Sequence, residues 1–575
     1  MKKIILLISI IVYCSSVQAQ SPTAFPGAEG FGANATGGRG GKVIYVTNLN
    51  PNGPGSLSEA LSTQGKRYIL FKVSGLINAA AEVIYGDFTL AGQTSPAGIT
   101  VRGFVIDEVY DTIGTGDNMI IRHIRSRPQD PSIWPTANYI LDDAFRLDGA
   151  SNTIVDHCSF ANAIDECVQI SQSSEITVQN CMLSETIGEH FYLGGMLVNY
   201  STREHPQDNI SIHHNTWNRI GGRMPELSCE SPYGSARPLN LELSNNLLWD
   251  QQINIWYESN INPSGQIDSF FINLNWVNNY SVGRSSYSNG MMAHNLLDFA
   301  SNTIFASGNK MNLYPSYSDY ELFYCCNDFN QPDNHPNTNL GIANILPVRH
   351  PFPAITYTAT NSLVDYMQQN VGAFPRDPMD RRLIDPFASG IPDSAPVDAN
   401  DHFNDGYILD FNPLNPPLPP LDSDNDGMPD YWEIAKGLNP GVQDQNGTNL
   451  SFDITGTEGY TNLECYLNCL SDYLVSGGTS TACSIKGTTS ILTPSKEETH
   501  ISVYPNPSTG EFYLALDNFQ NGTLMIYNIL GEVVHRQIIT SAHQKIDLTK
   551  KLKGVYFYQL YIDAGNLIGG KIIIE

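Results

Sequence analysis

The stretch Asn152-Thr153-Ile154-Val155-Asp156-His157-Cys158 decides how this chain is read. A polar residue opens it, apolar and polar positions alternate, and a polar pair closes it. The same phrase returns as Asn118-Met-Ile-Ile-Arg-His-Ile124, Glu175-Ile-Thr-Val-Gln-Asn-Cys181, Asn209-Ile-Ser-Ile-His-His-Asn215 and Asn240-Leu-Glu-Leu-Ser-Asn-Asn246, with starts 34, 23, 34 and 31 residues apart. Alternation at period two marks each phrase as a strand. An irregular spacing above twenty residues marks solenoid coils with loops of variable length on one side. Stacked, the phrases align His123, His157, Asn180, His214 and Asn245, and beside them Ile124, Cys158, Cys181, Asn215 and Asn246. Such columns favour a parallel β-helix over a β-sandwich with coincidental likeness. They also make His157, His213 and His214 interior or turn residues before catalytic ones. No G-x-S-x-G elbow occurs in a fitting context, so a Ser/His/Asp triad has no support.

Working outward, the chain has 575 residues, enough for three or four domains of roughly 150 residues. Lys and Arg number 31 against 58 Asp and Glu, a net charge of −27. That excess argues against nucleic acid or an anionic membrane as partner, and a polyanionic ligand would need a divalent cation as screen. Charged residues are 15% and hydrophobic ones 41%, which excludes a disordered chain. Gly 48 and Pro 34 favour turns over long helices. Lys2 and Lys3, the apolar run Ile4 to Tyr13 and Val17-Gln18-Ala19 read as a signal peptide over 1–19. The run is too short for a bilayer core of about 30 Å, and no later run spans one. A lipoprotein at Cys14 is disfavoured, because no small-residue box precedes it. Nine further cysteines cannot all pair within the chain, and no CxxC supports zinc. Cys465 or Cys469 with Cys483 is a candidate disulfide, and connectivity is not readable.

Further motifs carry a family resemblance. Ala24-Phe-Pro-Gly-Ala-Glu-Gly-Phe-Gly32, Gly37-Gly-Arg-Gly-Gly41, Val43-Ile-Tyr-Val-Thr-Asn-Leu-Asn50, Gly53-Pro-Gly-Ser-Leu-Ser-Glu-Ala60 and Leu90-Ala-Gly-Gln-Thr-Ser-Pro96 resemble the opening of secreted pectate lyases of polysaccharide lyase family 1. Asp142-Asp-Ala-Phe145, Val155-Asp-His-Cys-Ser-Phe160, Ile164-Asp-Glu166, His213-His-Asn215 and Arg223-Met-Pro225 resemble its central blocks. The resemblance covers about residues 22 to 410. It implies a right-handed parallel β-helix, agreeing with the strand phrases.

It also implies a chemistry. Pectate lyases cleave a uronic-acid chain by β-elimination: a base takes the proton on C5 and the C4 oxygen leaves. A calcium ion neutralises the adjacent carboxylate, which otherwise leaves that proton barely acidic. Calcium takes about six to eight oxygens. By the resemblance Asp143, Asp165 and Gln169 fall on the calcium positions, Gln169 departing from the usual carboxylate. Glu166 adds a further carboxylate, although neighbours on one strand point to opposite faces. A solvated acidic surface is the competing reading. Arg223 matches the family's proposed base; a guanidinium is ordinarily protonated, so its other role is to orient and stabilise the substrate carboxylate. Two positions depart: Ser228 stands where the block usually ends in Arg, and His190 where a substrate-binding Lys is common. His190 and Arg219 are the substrate-binding candidates, with Arg203 a further one. Trp134, Tyr192 and Trp217 are aromatics that either stack on sugars or pack in the core.

Beyond the proline-rich bridge Asn412–Pro420, Asp422-x-Asp424-x-Asp426-Gly427 with Asp430 and Glu433 satisfies the twelve-position EF-hand loop. The pattern expects side-chain ligands at Asp422, Asp424 and Asp426, the Met428 carbonyl, Asp430 through water and Glu433 with both oxygens. A helix from Glu433 to Lys436 should end at Gly437, and Gly459–Glu464 should close the module. Val503-Tyr-Pro-Asn-Pro-Ser-Thr-Gly510, Asn528-Ile-Leu-Gly-Glu532 and Lys553-Gly-Val-Tyr556 resemble the sorting domain of the bacterial type IX secretion system.

The expected order is therefore a signal peptide (1–19), a β-helix domain (20–410), a bridge and calcium repeat (411–470), a Ser/Thr/Gly-rich linker (471–498) and a sorting β-sandwich (499–575). This makes an all-β chain: a right-handed parallel β-helix, a small calcium-binding module and a C-terminal β-sandwich. The expected function is a secreted or cell-surface lyase, reaching that place through periplasm and outer membrane. Its partners would be calcium, a pectin-type polysaccharide and the type IX machinery, with no nucleic acid and no stable membrane span, as a monomer. A glycoside hydrolase using Asp142, Asp143 and Asp165, or a non-catalytic glycan-binding solenoid, are the alternatives.

Overall fold

The computed structural model describes residues 21–107, 116–129, 142–187, 194–199, 205–220, 222–228, 238–250, 256–257, 271–284, 290–324, 343–392, 416–478, 501–516, 522–528, 533–562 and 567–575. Three parallel sheets of eleven, nine and seven strands run the length of the first domain. Each full coil gives one strand to each: Ser151–Asp156 to the first, Ser159–Ala161 to the second and Val168–Ser171 to the third. The next coil repeats the order with Ser174–Gln179, Met182–Ser184 and Met196–Asn199. Parallel returns of this kind take the right-handed sense, and the expected parallel β-helix is what forms.

The register explains the repeated phrase. Met119, Thr153, Ile176, Ile210 and Leu241 lie side by side on successive strands of the eleven-stranded sheet. The apolar positions point into one continuous core, which includes Ile121, Val155, Val178, Ile212 and Leu243. The column that closes the phrase, His123, His157, Asn180, His214 and Asn245, has φ of 57, 51, 52, 56 and 51°. Each is the left-handed corner between two sheets, a conformation that Asn and His adopt more readily than most residues. The next column turns inward as a ladder. The N–H of Cys181 donates to Asn215 Oδ1 (2.8 Å), that of Asn215 to Asn246 Oδ1 (3.1 Å), and that of Asn246 to Asn279 Oδ1 (3.0 Å). Amide stacking thus satisfies polar groups that burial would otherwise penalise.

The opening motif lies across the outer face of the same sheet. Gly32 N–H donates to Thr177 Oγ1 (2.9 Å) and Phe31 N–H to Ser211 Oγ (3.1 Å). A Cβ on Gly32 would stand 2.2 Å from the Thr153 carbonyl oxygen, so only glycine permits this approach. Helix α1 (Leu57–Leu61) closes the first coil. The buried Arg67 guanidinium donates to the carbonyls of Ala60 (2.7 Å) and Leu61 (3.0 Å) at its C-terminal end, where the backbone leaves carbonyls unpaired.

Two later segments cover the outside. The stretch around α2 (Leu363–Asn370) and α3 (Pro378–Ile384) packs Leu363, Met367, Val371 and Leu383 on Met182, Leu247 and Trp249 of the nine-stranded sheet. Arg125 and Arg127 pair there with the buried Asp377 and Asp380 at 2.6 to 3.5 Å. The third layer is helical: α4 (Asp430–Lys436), α5 (Ser451–Thr455) and α6 (Asn462–Val475). Gly437 ends α4 in the left-handed conformation (φ 78°), as expected, and Thr461 with Glu464 forms a capping box on α6. Trp432, Leu463, Tyr466 and Leu467 of this module pack on Tyr68, Leu70 and Ala91 of the first coils. Helix α6 runs to Val475, so it occupies the first residues of the stretch expected to be a linker from 471. Its apolar i, i+3, i+4 spacing, read as low complexity, belongs to a buried helix face. Cys465 is a free thiol and Cys469 is disulfide-bonded; Cys14 and Cys483 lie outside the described residues.

The C-terminal domain is two antiparallel sheets of three and four strands around its own core, including Phe512, Leu524, Ile546, Leu560 and Ile572. Among the described residues no helix is long and apolar enough to cross a membrane. The signal stretch lies outside them.

Candidate functional site

The acidic motifs lie in the bends that lead into the seven-stranded sheet. Asp142 and Asp143 precede the strand Phe145–Asp148, Asp165 and Glu166 precede Val168–Ser171, and Arg223 precedes Glu226–Leu227. The strands pair in the register Arg146, Gln169, Leu197, Glu226. Counting back three residues from each aligns Asp143, Glu166, Gly194 and Arg223. Between Glu166 and Arg223 therefore lies a coil whose matching residue has no side chain, and Arg223 reaches across it. The neighbouring Gly195 is equally constrained: a Cβ there would stand 2.3 Å from the Arg223 carbonyl oxygen.

Arg223 Nη1 pairs with Glu166 Oε1, lies 3.6 Å from Asp165 Oδ1, and its Nε lies 2.7 Å from Glu226 Oε2. One oxygen each from Asp143, Asp165 and Glu166 fall within 4.8 Å of one another. Asp165 and Glu166 were expected on opposite faces; both converge here because they sit in a bend, where strand alternation does not apply. Arg146 holds Asp143 Oδ2 with Nε (2.8 Å) and Nη2 (2.7 Å). Burial pushes the Asp143 carboxyl up to about 7, against the pull of Arg146. Burial and then Asp165 push Asp142 upward as well. Five carboxylates against two guanidiniums leave the cluster anionic. Three converging carboxylates with excess negative charge fit a hard divalent cation. Gln169 stands three residues after Glu166, level with Arg146 and buried, its Nε2 donating to Ser171 Oγ (2.8 Å).

Other expected residues fall elsewhere. Arg219, expected to bind substrate, is 6% exposed at the far end of a nine-stranded-sheet strand, 3.5 Å from Glu185 Oε1. Arg382 holds the same carboxylate at 2.8 and 2.7 Å. Arg219 is a wall residue because its left-handed corner (φ 57°) turns it under the α3 segment. Trp217 is fully buried in the core, so it does not face a sugar. Ser228 is buried with its Oγ 3.3 Å from Glu226 Oε1. His190, Arg203, Trp134 and Tyr192 lie outside the described residues. Sequence reasoning missed Glu226; its spacing of three from Arg223 on the approach to a strand was the available signal.

The ladder histidines are built in. His123 Nδ1 accepts the Phe374 N–H (3.1 Å), which leaves Nε2 as the donor to Ser471 Oγ (2.8 Å). A ring protonated on that nitrogen cannot take a proton from the serine. Burial holds His213 down to about 4 and His214 well below the usual imidazole range. His157 Nδ1–H donates to the ionised Asp156 Oδ2 at 2.7 Å.

The second acidic group is the loop at 422–433. Ligand oxygens of Asp422, Asp424 and Asp426 lie within 4.8 Å of one another, and so do those of Asp426, Glu433 and Asp444. Asp430, expected to reach a cation through water, instead accepts Ser423 N–H (2.7 Å) and Ser423 Oγ–H (2.8 Å). Asp444 lies beyond the twelve-residue pattern, which is why the pattern missed it.

Comparison with known proteins gives three findings. Residues 502–575 match the family described as the secretion system C-terminal sorting domain. The probable pectate lyase C of Emericella nidulans is 29% identical over 471 residues, covering 81% of this chain and 96% of that one. The protein of the same description from Aspergillus terreus is 29% identical over 487 residues, covering 81% and 98%. Among solved structures, a pectate lyase from Paenibacillus sp. 0602 aligns with 63% of this chain and 99% of its own, at 14% identity and a TM-score of 0.37.

Proposed function

We propose, for a chain that is a relative of the pectate lyases and ends in a secretion sorting domain, that it is a secreted lyase cleaving pectate by calcium-assisted β-elimination. One observation carries the reading. Carboxylates from two coils and the guanidinium of Arg223 from a third converge at one place beside the seven-stranded sheet. A polyanionic substrate meets a chain of net charge −27, and this is where the repulsion can be cancelled.

Asp143, Asp165 and Glu166 would hold calcium, which supplies the charge that makes a uronate C5 proton removable. Gln169, three residues after Glu166 and level with Arg146, would add an amide oxygen. Arg223 is the residue nearest to both roles that elimination needs. With Glu166 and Asp165 turned to a cation, its Nη1 loses two anionic partners and faces like charge, the condition a basic role requires. Glu226 Oε2, 2.7 Å from Nε, stays beside the guanidinium as a counter-charge. Arg146 keeps Asp143 in place from the side. The C-terminal sandwich directs the chain through the type IX system to the cell surface or the medium.

A hydrolase needs carboxylates astride the bond, about 5–5.5 Å apart for retention or 6.5–9.5 Å for inversion. Here the oxygens crowd within 4.8 Å around an arginine, which favours holding a cation. The test is ultraviolet absorbance of unsaturated uronide on polygalacturonate. A calcium-dependent rise, abolished by chelator and by Arg223→Ala, supports the reading. New reducing ends without that absorbance overturn it in favour of hydrolysis.

A further inference from the structure

We infer that a divalent cation, calcium by its all-oxygen donors, is held by Asp426, Glu433 and Asp444 together with the loop aspartates, and that it fastens the helical module to the first coils of the β-helix. The twelve-residue pattern ends at Glu433. Asp444 comes from the next loop and is brought in by its own N–H, which donates to Asp426 Oδ2 (3.0 Å). Its carbonyl accepts the Gly447 N–H (2.7 Å) and Asn462 Nδ2–H (3.1 Å), so the α6 end of the module fixes it too.

The independent sign of a ligand is Glu433. Its side chain is fully buried, and neither carboxylate oxygen has a hydrogen-bond donor. A buried anion without a partner is strongly disfavoured, and no arginine or lysine pairs with Glu433 among the described residues. Asp424 Oδ2 is buried and unpartnered in the same pocket of oxygens. A cation is the group that satisfies both. Asp430, turned to Ser423, leaves the ninth loop position empty of its carboxylate, and Asp444 supplies the replacement charge.

The same loop grips the β-helix. Tyr45 Oη–H donates to Asp422 Oδ2, and Lys72 Nζ donates to Asn425 Oδ1 (2.9 Å) while lying 3.8 Å above the Tyr45 ring. Gly427 (φ 101°) is wedged where a Cβ would stand 2.9 Å from both Leu70 and Leu463. Ordering Asp422 through Gly427 around a cation therefore orders the contact with the first two strands.

The test uses the full chain carrying Asp143→Asn, so that the cluster beside Arg223 is weakened and its failure does not imitate failure here. Calcium is titrated by calorimetry, and terbium luminescence sensitised by Tyr45 and Trp432 reports the site directly. Adding Asp444→Asn should weaken calcium at least about tenfold, and shrink the calcium-induced rise in melting temperature, with melting in chelator unchanged. Asp453→Asn, an exposed acid on α5, should leave both unchanged. Wild-type calcium affinity in Asp444→Asn overturns the ligand assignment. Should that variant not fold, limited proteolysis of the chain with native Asp444 decides: cleavage within 40–100 that is equally fast with calcium and with chelator overturns the fastening.

Discussion

Arg223 and Glu166 face each other across a coil whose matching residue is Gly194, and their side chains meet because nothing stands between them. The pair is internal to the cluster where cation and substrate would bind, so the arginine and a metal compete for one carboxylate.

Replacing Arg223 by Ala should lower the rate on polygalacturonate by about a thousandfold. Calcium should bind the cluster more tightly in that variant, because its internal competitor is gone. Initial rates of unsaturated product and calorimetric titration measure the two effects, which should move in opposite directions.

Glu226 Oε2 lies 2.7 Å from Arg223 Nε. Glu226→Gln keeps the shape and removes the charge that holds the guanidinium in position. It should reduce kcat about 10–100-fold with KM changed less than about twofold, as misplacement does. A KM effect equal to the kcat effect would make Glu226 a binding residue instead.

Asp148 offers a pH signature away from the metal ligands. Burial first, then Asp107, push its carboxyl up to about 6, against a hydrogen bond from Gln172 and the charges of Arg146 and His205. A raised acid stabilises the fold below its unfolded value near 4, and that contribution disappears as pH rises through about 6. Asp148→Asn should therefore be more stable than wild type at pH 8 by about 1–2 kcal/mol, after discounting solvent screening, and equal to it near pH 4. Thermal melts across that range decide.

Arg219→Met should cost about 2–3 kcal/mol of stability, because the buried Glu185 carboxylate loses its buried guanidinium and keeps the partly exposed Arg382, and leave KM unchanged. Denaturant melts beside a KM measurement separate this wall role from substrate contact.

Deleting 499–575 should leave lyase activity and the main melting transition in place. The C-terminal sandwich has a core of its own, with no residue shared with the β-helix core. Calorimetry of the two forms reads this directly.

The coil architecture was legible because its corners are chemically demanding. A left-handed residue must recur once per coil, Asn and His tolerate it, and so His123, His157, Asn180, His214 and Asn245 announce one another in the sequence. The buried amide column is legible for the same reason, since each Asn needs the next. The site was only partly legible. Asp143, Asp165, Glu166 and Arg223 are carried by local motifs, and the structure brings them together. The turn-away of Asp430, the arrival of Asp444 and the burial of Arg219 depend on contacts between segments far apart in the chain, which no local pattern encodes. Strand alternation misjudged Asp165 and Glu166 because the bend begins just before the strand does.

The helical module rests on strands that are made nearly four hundred residues earlier, Tyr68 and Leu70 beneath Leu463 and Tyr466. The chain is synthesised from its N-terminus, so the opening coils emerge with an apolar outer wall and nothing to cover it. Completion waits until α6 has left the ribosome. For most of its synthesis the chain therefore carries this wall without the helices that cover it in the finished fold.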